Sequence, residues 1–187
     1  MKWLKKLFIS LLALLVLAFA ALYFFSRGAR GIGVNEVIVQ INRPASQVYP
    51  WLVESVKLKQ WIGGFTESVA LTEGGLRIGA KSGEIYVTGN DTTDMVSEVI
   101  NFRKNEFLFL LITSAAFDVD ARYMLSESAG TTKLHYFATT QYKPFAARLF
   151  EPLATPAAQK KIEHDLNSLK ALVEAETVES NSMQQIF

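Results

Sequence analysis

The chain has 187 residues, no cysteine and a formal net charge of +1, enough for one domain with a single core once an apolar N-terminal run is set aside. Without cysteine there is no thiol nucleophile, thiolate zinc site or disulfide framework. Five of the 19 basic side chains (Lys2, Lys5, Lys6, Arg27 and Arg30) flank that run, so the remaining 14 face 18 acidic ones, and this scattered, mildly acidic balance excludes the footprint of a nucleic-acid binder.

Leu7 to Phe25 is an apolar stretch of 19 residues, broken in polarity only by Ser10 and Tyr23. As a helix it spans about 28 Å, close to the roughly 30 Å of bilayer hydrocarbon. Residues 1–27 are therefore expected to be a membrane anchor. Three lysines before the run and two arginines after it favour a cytoplasmic N-terminus, with the domain on the outer, periplasmic or extracytoplasmic side. A cleaved secretory signal is the alternative, because Ala18-Phe19-Ala20 fits the small-x-small cleavage pattern; against it, the apolar run continues unbroken to Phe25. Residues 28–33, rich in glycine, read as a short tether that holds the domain close to the membrane.

From Val34 to Ile41 apolar and polar residues alternate, the pattern of a half-buried strand. Pro44 opens a helical piece carrying Val48, Trp51 and Leu52, bent by Pro50, and a second piece carries Leu58, Trp61 and Ile62 up to Gly63-Gly64. Phe65 to Thr72 reads as a strand, Glu73-Gly74-Gly75 as its hairpin turn and Leu76 to Thr88 as the next strand. Met95 to Phe102 alternates, Phe107 to Ile112 is apolar on both faces, and Phe117 to Leu125 alternates strictly; Ser128-Ala129-Gly130 turns into a strand from Thr131 to Tyr142. From Lys143-Pro144 the pattern turns helical, bent or broken around Pro152 and Pro156, with Ile162, Leu166, Leu169 and Val173 in one stripe and Lys161 with Asp165 as an i,i+4 pair on a solvated face. Residues 179–187 lack a partner face and read as a frayed tail, leaving 34–178 as the domain.

Catalytic signatures are missing: no serine-histidine-acid arrangement, phosphate loop, paired-carboxylate motif or metal-ligand spacing occurs. His164 lies between Glu163 and Asp165, but adjacent helical positions point apart. His135 lies outside if Tyr136 points in. Glu98 shares the parity of Val96, Ile100 and Phe102; if these face the interior, it places a carboxylate in an apolar space, where it anchors a polar head or acts as a general acid. In the opposite register Val99 faces in and Glu98 out.

The order of strand, two short helices, six antiparallel strands and a long C-terminal helix resembles the START-like, or SRPBCC, superfamily with its helix-grip fold, which includes polyketide cyclases and the birch pollen allergen family. Ile41-Asn-Arg-Pro-Ala-Ser-Gln-Val48-Tyr-Pro-Trp51-Leu52 leading to Trp61, the Val96 to Phe102 strand and the Ile162-Glu-x-Asp165-Leu-x-x-Leu169 helix carry the resemblance over residues 34 to 178. It implies an α+β fold, a curved seven-stranded antiparallel sheet gripping the last helix around a hydrophobic pocket. The expected partner is a hydrophobic small molecule or lipid, with no cofactor, metal or catalysis. Phe109, Leu111, Phe117, Val119, Tyr123, Tyr136, Leu166 and Leu169, together with Glu98, are the candidate pocket residues. Two alternatives stay open: a cyclase- or dehydratase-like enzyme, for which Glu98, Tyr136 and His135 have to converge, and an interaction module of the co-chaperone type, which needs a filled interior and an exposed apolar patch.

Overall fold

The computed structural model describes residues 2–28, 31–143 and 145–184, the side chains of 2, 4, 21–28 and 177–184 excepted. The alternating segments become seven strands: β1 (Ile32–Ile41), β2 (Phe65–Ala70), β3 (Lys81–Thr88), β4 (Asp91–Arg103), β5 (Phe107–Thr113), β6 (Phe117–Ser128) and β7 (Thr131–Tyr142). They pair antiparallel in the order β1-β7-β6-β5-β4-β3-β2. Of the tight turns, that joining β6 to β7 is made by Ala129 and Gly130, both at positive φ (51° and 76°), which suits the twist of a two-residue hairpin.

A helix, α1 (Lys2–Gly28), precedes the sheet. Among the described residues no helix is long and apolar enough to cross a membrane; of the expected span, residues 21–25 lie outside the described side chains. The tether is shorter than expected. β1 already begins at Ile32, so Ile32 and Gly33 belong to the sheet, while Ala29 and Arg30 lie outside the described residues.

Three short helices follow β1 where two were expected: α2 (Ala45–Val48), α3 (Pro50–Val53) and α4 (Ser55–Trp61). Pro50 has no N–H to continue α2 and instead occupies the first turn of α3, and extended backbone at Glu54 (φ −88°, ψ 117°) separates α3 from α4. Their inward side chains, Val48, Tyr49, Trp51, Leu52 and Trp61, are buried, and the Trp61 indole donates to the Trp51 carbonyl at 2.9 Å.

The turn expected at Glu73-Gly74-Gly75 is a longer loop over residues 71–80, and β3 begins only at Lys81. Gly74, Gly75 and Gly79 all take positive φ, and Gly79 and Ala80 exchange backbone hydrogen bonds with Val99 in place of a regular ladder. At the other end of the chain one helix, α5 (Phe145–Gln184), runs through both Pro152 and Pro156. Residues 185–187 lie outside the described set.

The core lies between one face of the sheet and the second half of α5. Leu166, Leu169 and Val173 of α5 are almost fully enclosed, as are Ile41, Val48 and Leu134 opposite them. A packed interior of this kind is the main stabilising element of the domain.

Candidate functional site

Packing changes character toward the first half of α5. There the helix presents Ala154 and Ala158, and β7 presents Ala138 and Thr140; these small side chains leave a cavity of about 370 Å³ between helix and sheet. The size falls within the range of small-molecule sites. Met95, Ile112, Phe117, Val119 and Ile162 supply apolar wall, with Trp61 at one side.

Five of the predicted pocket residues, Phe117, Val119, Tyr123, Tyr136 and Leu166, line this cavity. The other four do not. Leu169 is buried in the solid part of the core. Phe109 and Leu111 alternate with the inward-packed Leu108, Leu110 and Ile112 and so stand on the outer face of β5, where the Phe109 ring meets Phe107 at 4.9 Å and the Arg122 guanidinium at 5.6 Å. On that face Phe109 is flanked by side chains of the same sheet. Glu98 also points outward, to Lys81 at 3.1 Å, because Ser97 and Val99 are the buried residues of that segment.

His135 likewise lies outside, its Nε2 at 2.6 Å from Glu36 Oε1. Glu98, Tyr136 and His135 therefore do not converge. What the strands do bring together is a set of tyrosines. Tyr123 and Tyr136 are cross-strand partners with ring centroids 4.8 Å apart, and Tyr86 of β3 joins them on the cavity wall. Burial pushes all three phenols up from their ordinary value, so they stay protonated.

Behind Tyr86 lies a carboxylate that alternation alone does not single out. Glu84 is buried and accepts hydrogen bonds from Ser97 Oγ at 2.5 Å and from the Tyr86 hydroxyl at 3.1 Å. Burial pushes its carboxyl up, against the opposing pull of those two donors. Lys161 and Asp165 also belong to the site and not to a plain solvated face. Asp165 is 5% exposed, lines the cavity, and accepts from Lys161 Nζ at 2.5 Å and from the Gly63 N–H at 3.2 Å.

No family model matches the chain, and no curated protein matches it either. Solved structures do. The Zhui aromatase/cyclase of Streptomyces sp. R1128 superposes with a TM-score of 0.66 at 12% identity, over 78% of this chain and 96% of that one. A protein of Thermus thermophilus gives 0.64 at 16% identity, covering 76% and 98%. Ara h 8.0201 gives 0.60 at 12% identity, covering 78% and 99%. At these identities the likeness is one of fold, and the fold is the expected helix grip: a seven-stranded antiparallel sheet holding a long C-terminal helix.

Proposed function

We infer that the protein is a membrane-anchored carrier or sensor that holds an apolar small molecule or lipid between sheet and α5, without catalysis. The cavity carries this reading: about 370 Å³ of space with a largely apolar and aromatic wall, of the kind that accepts apolar guests. An interaction module with a filled interior is less well supported by such a void. The anchor rests on the 19-residue apolar run from Leu7 to Phe25 and its flanking lysines and arginines. In this reading α1 spans the bilayer, and β1, starting a few residues later, keeps the domain at the outer membrane surface.

A cyclase-like enzyme is the second reading, favoured by one observation, the hydrogen bond that links the cavity-lining Tyr86 to the buried Glu84. Native mass spectrometry with organic extraction of the full chain, purified from its own host, tests the first reading. A co-purifying lipid or other apolar compound supports it. An empty protein that also binds none of a panel of fatty acids, phospholipids and sterols overturns it.

A further inference from the structure

The polar atoms on the cavity wall are unevenly matched. Among the described residues lining it, Lys161 is the one cation, and its ammonium is already held by Asp165 at 2.5 Å with much of the side chain in solvent. Two carboxylates stand close by: Asp165 on the wall and Glu84 directly behind Tyr86. Asn35 spends its amide N–H groups on the Thr155 carbonyl at 3.0 Å and Gln159 Oε1 at 3.2 Å, which leaves its carbonyl oxygen as an acceptor. The Tyr86 hydroxyl gives its proton to Glu84 and keeps only lone pairs. Tyr123 and Tyr136 have hydroxyls with no hydrogen-bond partner among the described residues.

We propose, building on the cavity's reading as a ligand site, that it selects uncharged ligands carrying a hydroxyl or phenol on an apolar body and rejects carboxylates. A ligand hydroxyl has acceptors to donate to and the two tyrosines to accept from. A ligand carboxylate finds no unpaired cation among the described lining residues, loses its hydration, and meets Asp165 on the wall with the Glu84 carboxyl close behind Tyr86. Burial first, then the neighbouring phenols Tyr136 and Tyr86, and after them Glu84 and Asp165, push the Tyr123 hydroxyl up, so it stays a hydrogen-bond donor.

The test is equilibrium dialysis of the full chain in lipid nanodiscs, with empty nanodiscs as blank, against naphthalene, 2-naphthol and 2-naphthoate at pH 7.5. These probes share one skeleton and differ in the polar group. 2-Naphthol is expected to bind at least about tenfold more tightly than 2-naphthoate. Replacing both hydroxyls (Tyr123→Phe with Tyr136→Phe) is expected to weaken 2-naphthol about fivefold and leave naphthalene unchanged. Equal binding of naphthoate and naphthol, or a double variant that weakens naphthalene as much as naphthol, overturns the selectivity while the cavity still binds. If none of the three binds, the ligand-site reading falls, and the selectivity with it.

Discussion

The side-chain amide of Gln159 pairs with the backbone of Glu36 in both directions, Nε2 donating to the Glu36 carbonyl at 2.9 Å and Oε1 accepting from the Glu36 N–H at 3.3 Å. A glutamine on α5 thus does for β1 what a neighbouring strand would do. Lys170 bonds the Gln40 carbonyl and Glu174 the Asn42 N–H further along the same edge, so the helix closes an edge that is otherwise open to pairing with another chain. Gln159→Met keeps the length and loses both bonds, along with those to Asn35 Nδ2 and Glu163 Oε1. It is expected to lower the unfolding free energy by about 1–2 kcal/mol, read by chemical denaturation; an unchanged midpoint and slope count against this role.

Gly33 fixes how near the first half of α5 comes. A Cβ there would stand 2.4 Å from Thr155 Oγ1, so Gly33→Ala has to turn the Thr155 side chain or push the helix away from β1. The expected loss is about 1–3 kcal/mol, measured by thermal or chemical unfolding. Thr155→Ala removes the clashing atoms, and the double variant is expected to recover most of the loss. If the two losses simply add, the close approach is not what Gly33 provides.

The same contact explains part of what sequence reading could and could not see. Three glycines in seven residues look like a tether, and nothing in the chain before folding reveals that Gly33 lies under Thr155. Tyr123 and Tyr136 were legible because β6 and β7 alternate without interruption over a shared register. Glu98 was ambiguous because β4 changes register between Val99 and Asn101: Phe102 does pack inward, but on the far side of that bulge, so its parity does not extend back to Glu98. β5 is apolar on both faces, which removes the contrast that would have distinguished Phe109 and Leu111 from Leu108 and Leu110. Asp165 has the spacing of an ordinary surface pair with Lys161, and its burial and its bond from the Gly63 N–H come from contacts distant in the chain.

Ala158 lines the cavity from α5, and filling the space from there separates binding from folding. Ala158→Phe places an aromatic ring where a guest would sit. The expected outcome is loss of co-purifying apolar compound, with a melting temperature equal to or above that of the parent chain, because the ring replaces void by packing contacts. Extraction followed by mass spectrometry, alongside a thermal melt, checks both. A variant that retains its ligand in full places the ligand somewhere other than this cavity.

Glu84 gives the domain a pH dependence of defined sign. Its folded carboxyl is pushed above the ordinary value of 4.5, chiefly by burial, so between the unfolded and folded values the native state keeps a proton that the unfolded chain has lost. Stability from this group is therefore greatest below the unfolded value, falls as pH rises through the interval, and levels off above the folded value. Glu84→Gln cannot ionise and still presents a carbonyl oxygen to Ser97 and Tyr86. Relative to the parent chain, the variant is expected to gain in melting temperature as pH is raised from 4 to 8, having its least favourable comparison at the acid end. A difference between the two proteins that stays constant across this range means that Glu84 titrates alike in the folded and unfolded chains, and that its burial behind Tyr86 does not govern its charge.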